Sequence, residues 1–417
     1  MNPELVARLT DEMRYEYART APPEGFPKFP DIPVGRYVSD EFWDLEQRHL
    51  WTKVWVLAGR VEDAPRPGDF FTFEGLGPPM IVVRGSDSTL RAYYNTCQHR
   101  GAPVVRAERG SARLLRCQYH SWTYDIDDGR LVSVPDERDF VDLVKDERCL
   151  QTVRCEVWDG WVFINQDPSA VPLREWLRPV ADELAELQGD SLRTVARRSE
   201  IVPCNWKVTA EAFLEVYHFR HIHSRNGESL LDNRGAVMSL LPNGASRMIT
   251  PFARSKWTAM GMSDWDDFGR FEIPSFTDIP TVNDMVRSTS VAYSIFPNLI
   301  TPIAAHGFPF ITFWPLDKGT TRIEWTHYAP IDFDPESNLP ANWEMLLAGF
   351  DLIMAEDFWN MAPMQKSLES PALKGIPINY QERRIWHFHE QIDTIIGHGR
   401  IGAGLGVERL IEPYIER

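Results

Sequence analysis

The stretch Asn95-Thr96-Cys97-Gln98-His99-Arg100-Gly101, answered further on by Cys117-Gln118-Tyr119-His120-Ser121-Trp122, decides how the rest of this chain is read. Two Cys and two His fall as C-x-H, a gap of 17 residues, then C-x-x-H. Each short pair fits on one tight loop, and the gap has room for a strand, a turn and a returning strand. Two such loops facing each other would clamp a soft-metal centre. Two thiolates and two imidazoles suit tetrahedral zinc, or a two-iron cluster with both Cys on one iron and both His on the other. Common zinc patterns keep like residues together. Here each loop supplies one Cys and one His.

That arrangement resembles the Rieske [2Fe–2S] signature, C-x-H-x15–17-C-x-x-H. The flanks match as well: His99-Arg100-Gly101 in the first loop, Tyr119-His120 in the second, then Trp122 and Tyr124-Asp125. Ser121 departs from the pattern, standing where the family usually has Gly. The resemblance implies a [2Fe–2S] cluster held by Cys97, His99, Cys117 and His120.

Working outward, 417 residues suggest two or three domains. A net charge of −16 argues against nucleic acid or an anionic membrane as partner. Residues 1–25 lack the apolar core of a signal peptide. No run of apolar residues is long enough to span a bilayer. Five Cys in this length make no disulfide framework, so a reduced cytoplasm is expected, with Cys149, Cys155 and Cys204 as plain core thiols.

The first 20 residues read as a short amphipathic helix, 21–36 as a proline-rich arm, and 40–51 as a second helix. From 55 to 167 short strands alternate with turns, at 55–59, 70–73, 80–84, 90–94 and 161–165: a small antiparallel β-domain with the cluster loops at its tip. Residues 173–187 read as helix, and strands resume after 191. A mixed Gly-, Ser- and Asp-rich region at 225–290 suits a substrate lid. Strands return over 290–330. A long helix follows over 342–365, with Pro363 expected to kink its end. The expected organisation is an arm (1–40), a cluster domain (41–167) and a second domain (168–417). The run Gly402-Ala403-Gly404-Leu405-Gly406 has no room for a βαβ unit and is not read as a dinucleotide loop.

A second ligand set follows Asn205-Trp206-Lys207. On a helix over 205–218, Glu211, Glu215 and His218 share a face. Spacing alone pairs His218 with His221. A His218–His223 pair requires the helix to end or bulge between them, because five residues rotate by about 140°. A ferritin-like Glu-x-x-His reading lacks its required second copy, and an exposed His-rich helix end is the bland alternative.

The segment is similar to the catalytic motif of Rieske non-heme iron oxygenases, N-W-K followed by E-N-F-L-E-x-Y-H-x-x-x-x-H. Placed on it residue by residue, His218 and His223 fall on the iron-ligand positions and Glu215 on the bridging acid. Ala212 replaces the usual Asn. The family completes a 2-His-1-carboxylate triad from a late helix. Asp357, with Gln365 eight residues on, matches that pattern; Asp351 and Glu356 are the alternatives, and Glu356 reads as solvated. The implied fold is α+β: an antiparallel Rieske domain plus a catalytic domain whose antiparallel sheet is gripped by helices, START-like.

The resemblance further implies a homotrimeric terminal oxygenase with one [2Fe–2S] cluster and one mononuclear Fe(II) per chain and O2 as co-substrate. Electrons would come from a separate ferredoxin and NAD(P)H-dependent reductase, passing from His120 of one chain through Glu215 of its neighbour to His218. Phe213, Trp257, Met260, Met262, Phe296, Leu299, Ile303, Phe308 and Phe313 are the pocket candidates, implying an apolar or aromatic small-molecule substrate. The Glu at the bridge and the F-L-E-x-Y-H wording favour monooxygenation, including N- or O-dealkylation, over cis-dihydroxylation of an arene. Competing classes are a zinc-stabilised binding module and a Rieske-type electron carrier; the carrier would need the β-domain alone.

Overall fold

The computed structural model describes residues 1–223, 230–265, 267, 275–330 and 339–416. It divides into two compact units, Trp51–Trp176, and Met1–Leu50 together with Leu177–Arg417. The unit boundaries thus lie at 50/51 and 176/177, not at 40/41 and 167/168, and the proline-rich arm belongs to the larger unit. Its attachment has a physical basis. Arg36, fully buried, pairs with Asp393 at 2.7 Å, and Tyr37 donates its hydroxyl hydrogen to Glu211 at 2.9 Å.

The smaller unit is built on antiparallel strands. Val56–Arg60, Asp69–Phe73, Met80–Arg84, Leu90–Tyr94, Arg109–Ser111, Thr152–Trp158 and Trp161–Asn165 form a seven-stranded sheet, and Leu114–Arg116, Thr123–Asp125 and Leu131–Ser133 a three-stranded one. The spacer between the Cys/His loops does hold two strands. They do not pair with each other: Arg109–Ser111 pairs with Asp69–Phe73, and Leu114–Arg116 with Thr123–Asp125. Ile81, Val83, Tyr93, Val104, Leu115 and Tyr124 bury themselves between the sheets, with both Cys97 and Cys117 in this core.

The larger unit centres on a second seven-stranded antiparallel sheet. Its order is Arg193–Val202, Thr320–Ala329, Phe308–Asp317, Leu299–Ile303, Thr289–Ile295, Ser246–Pro251, Val237–Leu240. Two helices, Ala341–Leu368 and Arg383–Ile396, cover one face. Trp325 donates to Asp351 of the first at 3.0 Å, and Arg384 of the second donates to Ser246 at 2.8 Å. On the opposite face Tyr293 and Arg247 reach Glu183. The whole is mixed α+β, with one antiparallel domain and one sheet-plus-helix domain.

Two stretches differ from the sequence reading here, besides the helix Trp206–Glu211 described below. The helix expected at 173–187 is broken into Leu173–Trp176 and Val180–Glu183 with a following turn of 3-10 helix, because Pro179 removes a donor and crowds the preceding turn. Residues 237–251, inside the expected lid, are two core strands; residues 224–229, 266 and 268–274 of that lid lie outside the described residues. The long helix is present as expected, Ala341–Leu368, ending three residues later than read, with Pro363 inside it. Among the described residues no helix is long and apolar enough to cross a membrane.

Candidate metal centres and the cavity beside them

The two Cys/His loops are built alike. Gly101 N–H closes onto Cys97 O at 2.9 Å, and Ser121 N–H onto Cys117 O at 2.9 Å. Gly101 has φ +74° and Ser121 φ +61°. Ser121 therefore keeps the left-handed turn that glycine would adopt without cost, at a penalty of about 1 kcal/mol. The thiols are buried and the imidazoles half-buried. His99 Nδ1 and His120 Nδ1 stand 3.1 Å apart, and two nitrogens each about 2.1 Å from one metal ion would sit at about this separation. Trp122 stacks on His99 at 4.9 Å, fixing its ring. Burial and the neighbouring His120 push the His99 pKa down, which favours the neutral, metal-binding imidazole. Tyr124 OH accepts Gln98 N–H at 3.0 Å, so its own hydrogen is free for Cys97 Sγ at 3.3 Å.

In the larger unit the helix that starts at Trp206 ends at Glu211, short of the expected 218. Asn205 caps its start and also donates N–H to Gln365 Oε1 at 2.9 Å. Gln365 thus ties the far end of the long helix to this segment. A second short helix, Phe219–Ile222, opens after His218 and closes at His223. The break lets residues five apart converge: the His218 and His223 rings lie 5.2 Å centroid to centroid. His221, the partner preferred by spacing alone, is exposed and outside the cluster.

His218, His223 and Asp357 bring one ligand atom each within 4.8 Å of one another. Asp357 Oδ1 is 3.5 Å from His218 Nε2 and 3.3 Å from His223 Nε2. His218 Nε2 is buried and has no hydrogen-bond partner, a costly state for a lone polar atom and an ordinary one for a metal ligand. Each far nitrogen is held by a carboxylate: Glu215 Oε1 accepts from His218 Nδ1, and Glu356 Oε2 from His223 Nδ1 at 2.9 Å. Those bonds put the Nε2 lone pairs toward the centre. Burial lowers the His223 pKa, but Asp357 and Glu356 outweigh it, so the net shift is upward. The donor set fits an octahedral iron with open positions, as the Cys97, His99, Cys117, His120 set fits a two-iron cluster.

Glu356 corrects the sequence reading. It is not solvated but stands behind His223, 17 % exposed. Asp351, the other alternative, points instead at Trp325 and Arg198. Helical spacing alone could have flagged Glu356 only if the position of His223 had been known.

The loop carrying Glu215 and His218 is anchored by a buried polar network that the sequence reading missed. Lys207 pairs with Glu46 at 2.8 Å, both fully buried. Arg36 Nε donates to His389 Nδ1 at 3.0 Å, which leaves the His389 hydrogen on Nε2, facing Glu211 Oε1 at 2.8 Å. Burial pushes Glu211 up to about 8, against the lowering by its hydrogen bond from Tyr37.

Over the triad lies a cavity of about 300 Å³ walled by Phe213, Phe219, Met248, Ile300, Ile311 and Met354. Of the sequence candidates, Phe213 lines it, and Ile303 lines an adjoining chamber. Trp257, Met260, Met262, Phe296, Leu299, Phe308 and Phe313 line neither, though all are buried. Strand alternation explains part of this: Ile300, Pro302 and Ile311 face the cavity, so Leu299 and Phe308 face away. Phe313 supports Phe213 from behind at 5.4 Å. Trp257 packs on Trp265, and Phe296 on Phe388.

The family model for the ring hydroxylating alpha subunit (catalytic domain) matches residues 182–398, and that for the Rieske [2Fe-2S] domain matches 54–154. The 2-aminobenzenesulfonate 2,3-dioxygenase subunit alpha of Alcaligenes sp. is 32% identical over 213 residues, 50% of this chain and 54% of that protein. The carnitine monooxygenase oxygenase subunit of Escherichia coli K12 is 29% identical over 205 residues, 49% of this chain and 54% of that protein. The chain spans about half the length of these curated relatives. A solved quaternary ammonium Rieske monooxygenase bound to L-carnitine superposes with a TM-score of 0.71 at 21% identity, covering 90% of this chain and 99% of that one. At that identity the likeness speaks for the fold.

Proposed function

We propose, on the premise that this chain belongs to the ring hydroxylating alpha subunit family, that it is the terminal oxygenase of a multicomponent Rieske system. Its substrate is an apolar or aromatic small molecule. The observation that carries this is the convergence of His218, His223 and Asp357 at the floor of an apolar cavity. The family implies one [2Fe–2S] cluster and one mononuclear iron, with O2 as co-substrate. Cys97, His99, Cys117 and His120 would hold the cluster; His218, His223 and Asp357 would hold the iron. When bound, the cluster supplies single electrons and the iron supplies O2 activation.

The chain's own residues do the rest. Glu215 and Glu356 fix the two imidazoles in the Nδ1–H tautomer. Phe213, Phe219, Ile300, Ile311 and Met354 exclude bulk water and seat an apolar group against the triad. Glu215 also takes two backbone N–H bonds, from Tyr217 and His218. A carboxylate has about four acceptor positions, so it retains room for a further N–H donor, the His120 imidazole of a neighbouring subunit in a homotrimer. Reducing equivalents are assigned to a separate ferredoxin and NAD(P)H-dependent reductase.

Monooxygenation, including N- or O-dealkylation, is the preferred outcome, since Glu215 stands at the bridge and a carnitine monooxygenase is among the relatives. Cis-dihydroxylation is the second reading, because a dioxygenase alpha subunit is also among the relatives, at 32% identity against 29%. Iron and sulfide analysis tests the class: three irons and two acid-labile sulfides per chain are expected, and zinc without colour would overturn it. Turnover under labelled O2 separates the outcomes, one labelled oxygen in the product against two.

A further inference from the structure

The cavity over the triad opens into a second chamber of about 500 Å³, and Leu230, Leu231, Ser290, Pro302, Phe350 and Ile353 line both. The two chambers differ in chemistry. The inner one is walled by hydrocarbon and phenyl groups apart from Ser290, the ligand set and the two glutamates behind it. The outer one carries His327, His306 and an Arg287–Asp278 ion pair. His327 is the telling residue. It is 2 % exposed, its ring packs edge-on against Phe350 at 4.9 Å, and its Nδ1 has no hydrogen-bond partner. A buried imidazole nitrogen left unpaired costs free energy unless something arriving in the chamber satisfies it.

We propose that the outer chamber is a second substrate subsite, in which His327 Nδ1 hydrogen-bonds an uncharged polar group on a molecule whose apolar end sits over the triad. This rests on the reading of the inner chamber as the reaction site. The uncharged character follows from the charges present. Arg287 is neutralised by Asp278, so it offers no free cation to a carboxylate. Burial lowers His306, and lowers His327 to about 4, so both imidazoles are neutral. A neutral imidazole nitrogen can serve either as donor or as acceptor, which suits a hydroxyl, ether, carbonyl or amide.

The long helix sets the reach. Gly349 borders the outer chamber and not the inner, and Asp357 the inner and not the outer. Eight residues of helix separate Gly349 from Asp357, about 12 Å. A phenyl ring with a four-carbon tail ending in oxygen spans that length. Gly349 is itself exposed and stands at the mouth of the outer chamber. It sits within a helix, where glycine costs about 1 kcal/mol relative to alanine, and a Cβ there would meet nothing within 4 Å. A larger side chain there would have room to fold over that mouth.

The test measures equilibrium binding to the anaerobic holoenzyme by quenching of tryptophan fluorescence. The probes are 4-phenylbutan-1-ol, butylbenzene, 4-phenylbutyrate, 4-phenylbutylammonium and toluene. In the parent protein the alcohol should bind at least tenfold tighter than either charged analogue. His327→Leu should weaken the alcohol about tenfold and leave butylbenzene unchanged or tighter; His327→Gln should restore much of the alcohol's affinity. Gly349→Leu, a change that favours the helix, should weaken both long probes and spare toluene. Unchanged alcohol affinity in His327→Leu, preference for a charged tail, or long probes unaffected by Gly349→Leu would each overturn the proposal. Binding is read without turnover, so a failure here is distinct from a protein that lacks iron or consumes no O2.

Discussion

Removing the Glu356 carboxylate should loosen the iron site without touching the cluster. The bond from His223 Nδ1–H to Glu356 is 2.9 Å long, and the carboxylate is 17 % exposed. A hydrogen bond to a charged acceptor contributes about 1.5–3 kcal/mol. At about 1.4 kcal/mol per decade that is ten- to a hundredfold in metal affinity, the range expected of a carboxylate behind a ligating histidine. Partial contact with water places the effect toward the lower end, about 10- to 30-fold for Glu356→Ala. Glu356→Gln keeps an acceptor and loses only the charge, so its loss should be smaller. The assay is anaerobic Fe(II) titration of protein emptied of mononuclear iron, with the cluster absorption as internal control. Asp351→Asn is the matched comparison, since Asp351 serves Trp325 and Arg198 instead, and should leave iron affinity unchanged. An Fe(II) affinity within twofold of the parent in Glu356→Ala would refute the assignment.

Glu215→Ala should keep the cluster spectrum while coupled turnover collapses; full activity would sink its bridging role. Tyr124→Phe deletes the hydroxyl aimed at Cys97 Sγ. A hydrogen bond of about 1–1.5 kcal/mol corresponds to about 45–65 mV for one electron, so the cluster's reduction potential should fall by that much, and an unchanged redox titration would contradict it. Glu211 is raised to about 8 by burial, so between about 4.5 and 8 the folded chain holds a proton that the unfolded chain has released. Stability therefore declines as pH rises through that window, by up to about 1.4 kcal/mol per pH unit for one proton. Glu211→Gln should flatten the decline, and calorimetric Tm values from pH 5 to 8 that keep the parent slope would exclude Glu211 as its source.

How far the sequence carries depends on the range of the information needed. Both loops were legible because a C-x-H or C-x-x-H pair must lie on one short turn, whatever the rest of the fold does. Ser121 shows the margin: its φ of +61° is tolerated because the surrounding hydrogen bonds impose it. The pocket candidates fared differently. Hydrophobicity marks Leu299 and Ile300 alike as buried, and strand register alone turns Ile300 to the cavity and Leu299 to the far face. The buried network of Arg36, Tyr37, Glu211 and His389 joins residues 174 to 353 apart in sequence, and no local pattern announces it.

By itself, the sequence determined the order of the two metal motifs, the ligand types they offer and the antiparallel character of the smaller unit, because these rest on spacing and side-chain chemistry within short segments. Tertiary structure decided what those motifs become. It ended the helix at Glu211 so that His218 and His223 could converge, and brought Asp357 and Glu356 to them from a helix more than a hundred residues on. It also left His327 Nδ1 unpaired beside a second chamber. The physical reason is common to all three. The direction of a donor atom and the volume of a cavity depend on packing between segments distant in the chain, and one-dimensional spacing records neither.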